Sequence, residues 1–173
     1  MIKILKYGEV ENKDIFARGG VKTNVEGVVS EIIENVKTNG DKALFEYCEK
    51  FDKAKLTSFA VSTEEIENAV KSADEKFINI LKKAAANIRK FHEKQVRTSF
   101  IINDENGIVT GQKIIPVDCA GLYVPGGTAA YPSTVLMDAI PAKIAGVKNL
   151  VMVTPPCPDG RINHVILAAA HIA

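Results

Sequence analysis

The residues of this chain that could do chemistry are its three histidines, its three cysteines, a few hydroxyls and one Pro-Gly-Gly loop. His164 and His171 would share a helix face, but two turns, roughly 10 Å, would separate them. Two ligands of one zinc ion must each approach it within about 2.1 Å, and this spacing does not provide that. His92, beside Phe91, suits a surface or helix-end position. No metal site and no catalytic residue is assigned within the chain. Ser133 and Thr134 follow Pro132 at a helix start, where hydroxyls cap free N–H groups. A nucleophilic serine would need a neighbouring base, and the local sequence has none. Cys48, Cys119 and Cys157 are odd in number and lack C-x-x-C spacing, which argues against a disulfide framework or structural zinc and for a reducing, cytoplasmic setting. Cys119, next to Ala120 and Gly121, reads as a small packing residue.

The loop Tyr123-Val124-Pro125-Gly126-Gly127-Thr128 carries more information. It joins an apolar strand to a helix start, so two glycines expose backbone N–H groups in front of the positive end of a helix dipole. That arrangement suits an anionic or phosphate-bearing ligand. Ligands of open parallel sheets lie at the carboxyl ends of the strands, where this loop falls. The G-x-G-x-x-G fingerprint and the P-loop lysine motif are both absent, and Pro-Gly-Gly is also an ordinary turn. Tyr123 can stack on a ring or fill a core.

The elements that must position this loop follow from hydrophobic spacing. Val25, Val28, Val29, Ile32, Ile33 and Val36 form an amphipathic helical stripe that Asn39-Gly40 closes. A short helix with Leu44, Cys48 and Phe51 on one face is expected next, then a short strand over residues 55–61. Ser62 and Glu65 make a capping box, with Val61 and Ile66 able to pack across it. A longer helix is expected from about Asp74 to Val96, with Phe77, Leu81, Ala84, Ile88 and Phe91 inward. Around Asn106-Gly107 the period becomes two, which predicts a hairpin whose turn residues both take positive φ, ended by Pro116. From residue 120 the order is strand (AGLYV), turn, helix over residues 133–145, Gly146, and strand (NLVMVT). Pro155, Pro156 and Pro158 predict an extended exit before a last helix near Arg161. Strand, helix, strand at this spacing is a βαβ unit with parallel strands, and wholly apolar strands suggest burial on both faces.

The expected fold class is therefore α/β: a helical N-terminal part with a β-hairpin, then the opening βαβ of an incomplete Rossmann-like parallel sheet. Two strands cannot bury both faces, and the apolar helix HVILAAAHIA ends the chain, so the sequence reads as truncated. Composition excludes other classes. The 22 basic and 21 acidic residues, a net charge of +1, speak against a nucleic-acid surface. The hydrophobic fraction of 46% excludes a disordered chain. No apolar stretch reaches the length of a membrane span, since Asp138, Pro141 and Lys143 break the longest one. The N-terminus, MIKILKYGEVENKD, does not read as a signal peptide.

Residues 121–156, GLYVPGGTAAYPSTVLMDAIPAKIAGVKNLVMVTPP, closely resemble the signature region of the histidinol dehydrogenases. The likeness continues upstream through NGDKALFEYCEKFDK (39–53), VSTEEIENAV (61–70), NIRKFHEKQ (87–95) and GQKIIPVDCAGLYVPGG (111–127), in the family's order. Members of that family oxidise L-histidinol to L-histidine in two NAD-dependent steps and hold a zinc ion. They are more than twice this length. Their zinc ligands and their Glu-His base pair lie beyond the matched part, so the resemblance implies zinc with ligands outside this chain. It implies NAD contact at Tyr123, with Pro125, Gly126 and Gly127 as backbone neighbours of the cofactor. It further implies a cytoplasmic homodimer built from incomplete Rossmann-like domains. Residues 1–17 would form an N-terminal arm, 18–120 the first part of domain one, and 121–173 the start of an NAD-site domain.

Three functional readings follow. The first is the N-terminal part of a zinc- and NAD-dependent histidinol dehydrogenase, inactive alone. The second is a free-standing, non-catalytic ligand- or protein-binding module derived from that fold, using its open strand edges. The third, an unrelated nucleotide-binding domain, is disfavoured by the missing phosphate fingerprints. Neither membrane nor nucleic acid is an expected partner.

Overall fold

The hydrophobic spacing of the first half produces helices, and that of the second half a βαβ unit. The structure, a computed structural model, describes residues 4–16, 25–126 and 129–173. The boundary expected between residues 17 and 18 lies outside the described residues. The chain forms two compact units, Met1–Asp41 and Lys42–Ala173. In the first, α1 (Asn12–Ile15) precedes α2 (Val25–Asn39). Gly40 closes α2 at φ +55°, its N–H donating to the Val36 carbonyl at 2.8 Å, as the Asn-Gly pair predicts. Val25, Val28, Val29 and Ile33 of the stripe are exposed, and Ile32 and Val36 are half-buried.

The second unit opens on α3 (Asp41–Tyr47), which continues into a single π-type turn at Cys48–Asp52. That wider turn breaks the 3.6 period, so Leu44, Cys48 and Phe51 do not share a buried face. Phe51 is exposed and stacks on Tyr47 at 5.6 Å, while Ala43 is buried instead. The strand expected over residues 55–61 does not form. Among the described residues no strand pairs with it, and Phe59 instead stacks on Phe45 at 4.1 Å, while Ala54 is buried.

The capping box that starts α4 (Thr63–Ser72) is present: Glu65 N–H donates to Ser62 Oγ at 3.1 Å, and Ser62 N–H to the Glu65 carboxylate at 3.1 Å. Asp74 caps α5 (Glu75–His92) through the Phe77 N–H, and a short 3-10 turn at Glu93–Gln95 follows. Leu81 is buried, with Phe77, Ala84 and Ile88 against the core as expected. Ile78 and Ala85 are buried as well. Phe91 is the correction: it is 64% exposed, because the core ends at Ile88 and the last turn of α5 has nothing to pack on.

The hairpin forms from β1 (Phe100–Asn103) and β2 (Val109–Gln112), antiparallel, with Phe100 opposite Gln112 and Asn103 opposite Val109. Its turn differs from the expectation. Gly107 N–H donates to the Asp104 carbonyl and Asp104 N–H to the Ile108 carbonyl, which makes a three-residue loop. Only Gly107 takes positive φ, at +77°; the Asn106 N–H is held by the Asp104 carboxylate. Both strands are exposed on both faces.

The βαβ unit comprises β3 (Cys119–Tyr123), α6 (Pro132–Ile144) and β4 (Asn149–Val153), with β3 and β4 parallel and Tyr123 opposite Val153. Gly146, at φ +92°, closes α6. After β4 the prolines do not run straight out. Cys157 N–H donates to the Arg161 carbonyl and Gly160 N–H to that of Cys157, a closed turn that delays α7 to His164–Ile172 with Asn163 as its cap. The core joins Leu81 and Ala85 of α5, Val135, Leu136, Ala139 and Ile140 of α6, Ile166 and Ala169 of α7, and Val124. The strands are not buried on both faces. Leu122 and Met152 pack on the core, whereas Val151 is 56% exposed on the other side. Helices cover one face only, so alternate residues of apolar strands remain outside.

Candidate functional site

The carboxyl ends of β3 and β4 meet at the Tyr123–Gly126 loop. Val124 is fully buried, and its N–H donates to the Val153 carbonyl at 2.9 Å, so the ladder continues one residue past β3. Because side chains alternate along a strand, burying Val124 sends Tyr123 to the open face, where its ring is 64% exposed. Pro125 is exposed and Gly126 half-buried. A Cβ on Gly126 would lie 3.2 Å from both Thr154 Oγ1 and the Pro155 carbonyl oxygen. Glycine therefore lets this loop lie directly on the residues that follow β4. Gly127, the fourth residue expected here, lies outside the described residues, as does Thr128. The structure thus brings together Tyr123, Pro125 and Gly126, and adds Thr154 and Pro155, which sequence spacing did not single out.

Helix α6 begins shortly after the loop. Ser133 and Thr134 were expected to cap it, but the N-cap is Tyr131, with no side-chain cap bond, and Pro132 is the first helical residue. Proline's fixed φ starts the helix one residue before the hydroxyls, leaving them inside the first turn. No acidic residue occupies that turn, so none of the helix's own first-turn side chains neutralises the positive end of the α6 dipole. An exposed aromatic ring, a loop at the strand ends and a helix start with no acid in its first turn can hold a ligand that combines a ring with a phosphate.

The other candidate groups stand apart. His92 Nδ1 pairs with Gln95 Oε1 at 2.6 Å; His164 and His171 are exposed at the two ends of α7. Among the described residues, no group of three or more His, Cys, Asp or Glu side chains could hold a metal ion. The three cysteines are free. Cys119 does not pack in a core: it is exposed on the open strand face. Burial, and secondarily the Asp52 carboxylate, push the Cys48 thiol above the ordinary range. Hydrogen bonds from the Arg161 backbone and guanidinium hold the exposed Asp159 carboxyl below its usual value, fixing the turn before α7. No described helix is long and apolar enough to cross a membrane.

Comparison with known proteins identifies the family. The family profile described as histidinol dehydrogenase matches residues 17–173. The histidinol dehydrogenase of Clostridium acetobutylicum is 47% identical over all of this chain and 41% of its own length. That of Methanosarcina barkeri is 44% identical over 99% of this chain and 40% of its own length. The crystal structure of histidinol dehydrogenase from Elizabethkingia anophelis superposes with a TM-score of 0.82 at 40% identity, covering 87% of this chain and 35% of that one. The chain spans about two-fifths of the length of the curated relatives it matches, and corresponds to their N-terminal portion. A chain matched from residue 17 to residue 173, and superposing on a solved histidinol dehydrogenase over most of its length, belongs to the histidinol dehydrogenase family.

Proposed function

We propose that this chain supplies the scaffold and one wall of the NAD site of an enzyme that oxidises L-histidinol through the aldehyde to L-histidine, with two NAD. The observation that carries this reading is the exposed Tyr123 ring and its loop at the carboxyl ends of parallel strands, followed by a helix start with no acid in its first turn, in a chain of this family. NAD when bound supplies the hydride acceptor. This chain's residues bind and orient. The Tyr123 ring offers a stacking face, the loop that follows it supplies backbone neighbours at Pro125 and Gly126, and the α6 terminus favours a pyrophosphate. Among the described residues no cluster of zinc ligands occurs, so none of them is assigned to zinc and no step is routed through it. The same holds for the proton-transferring base, because the three histidines stand apart from the loop in the sequence and each has a surface or helix-end position. The working enzyme is a cytoplasmic homodimer in this reading, and the 173-residue chain by itself is inactive.

The test couples two measurements on the 173-residue chain. Calorimetric titration with NAD should show binding that Tyr123→Ala weakens about tenfold, a loss of roughly 1.4 kcal/mol expected of one removed aromatic contact. Incubation with histidinol, NAD and zinc should give no NADH. Turnover by this chain, or NAD binding indifferent to Tyr123, would overturn the proposal.

A further inference from the structure

A glycine directly after Asn or Asp leaves its backbone nitrogen unhindered beside the preceding side-chain carbonyl, because no Cβ stands in the way. The chain has three such pairs: Asn39-Gly40, Asn106-Gly107 and Asp159-Gly160. All three Asn and Asp residues are exposed, so solvent reaches each of them. They differ in how firmly they are held. Asn39 Nδ2 donates to Asn35 Oδ1 at 2.7 Å, and the Gly40 N–H donates to the Val36 carbonyl at 2.8 Å at the end of α2. The Asp159 carboxylate accepts from the Arg161 N–H at 3.0 Å and from its guanidinium at 2.8 and 2.9 Å, while the Gly160 N–H donates to the Cys157 carbonyl at 2.8 Å. Those bonds also keep Asp159 ionised, and a carboxylate anion is a poor electrophile.

Asn106 is held least. It lies in the three-residue loop of the β1–β2 hairpin, where its own N–H is taken by the Asp104 carboxylate, and among the described residues no hydrogen bond holds its side-chain amide. The Gly107 N–H reaches the Asp104 carbonyl only at 3.2 Å, and a hairpin exposed on both faces opens at little cost. We propose that Asn106 is a site of spontaneous covalent modification, with water as the reactant. The Gly107 nitrogen, its proton lost to solvent base, bonds to Asn106 Cγ as the bond from that carbon to the side-chain nitrogen breaks. Ammonia leaves with a solvent proton, and a cyclic imide remains. Water then opens the ring at either carbonyl to give aspartate or isoaspartate, and nothing is oxidised or reduced. Either product sets a further carboxylate after Asp104 and Glu105. Isoaspartate also adds a carbon to the backbone of a loop whose length fixes its turn, so the modification loosens the hairpin.

The test ages the 173-residue chain in mildly alkaline heavy-oxygen water, both folded and in urea. Its peptides are followed by mass spectrometry, with fragmentation that separates isoaspartate from aspartate. In the folded chain Asn106 should convert about tenfold or more faster than Asn39, the combined worth of the two hydrogen bonds that hold the Asn39-Gly40 pair. Asp159 should take up no label over the same time. In urea Asn39 should approach the rate of Asn106, since the two pairs are then chemically alike. Equal rates in the folded chain, or an Asn106 that converts only in urea, would overturn the proposal. Gly107→Ala should slow Asn106 several-fold in urea, where strain at the native φ of +77° plays no part, and an unchanged rate would exclude the Gly107 nitrogen as the attacking group. The aged folded chain should lose amide-exchange protection across β1–β2 and keep its unfolding free energy. A converted hairpin as protected as before would overturn the stated consequence.

Discussion

The second unit contains two two-stranded ladders, and their surroundings differ completely. The parallel pair β3–β4 rests one face on α6 and the core, whereas the antiparallel hairpin β1–β2 is exposed on both faces. Both are rich in apolar residues: Ile101 and Val109 of the hairpin remain exposed, while Leu122 and Met152 of the parallel pair pack on the core. Ladder hydrogen bonds alone contribute little in water, because they replace bonds to solvent. Stability comes from what a strand buries, and only the parallel pair buries anything substantial. The candidate ligand loop grows from the packed ladder, so its position is inherited from the core.

Three substitutions test this contrast. Ile140→Ala, in the fully buried face of α6, should lower unfolding stability by about 2–5 kcal/mol in urea denaturation. A loss below that range would mean that the helices do not hold the parallel pair. Ser62→Ala removes the acceptor of the Glu65 N–H, on a helix that packs on α7, and should cost about 1 kcal/mol by the same measurement. Gly111→Ala should act locally. An added Cβ would collide with the Phe100 carbonyl oxygen, so amide-exchange protection across the hairpin should fall. The unfolding free energy from urea denaturation should change by less than about 0.5 kcal/mol, as for other surface changes away from the core. Hairpin disruption that unfolded the whole unit would erase the distinction between the two ladders.

The local elements were legible in the residues. The Ser62–Glu65 box, the Gly40 and Gly146 helix stops, the α5 stripe from Phe77 to Ile88 and the strand–helix–strand order all depend on neighbours within a few positions. Three of the misreadings share one cause. A strand over residues 55–61, an inward Phe91 and a packed Cys119 each assumed a partner at long range that is not there among the described residues. The α6 cap failed on a shorter scale, since Pro132 starts the helix before the hydroxyls that were expected to do so.

What the sequence determined by itself was the family, the α/β class and the Tyr123–Gly127 loop as the place to look, because motif order and hydrophobic period are properties of the chain alone. What only the tertiary structure decided was which side each residue faces. Burial of Val124 in the core turns Tyr123 outward, and the missing side chain of Gly126 lets the loop lie against Thr154. Thr154 follows Gly126 by many residues, and only pairing of two parallel strands brings their ends together. No spacing rule along one segment can report a contact that the crossover between two strands creates.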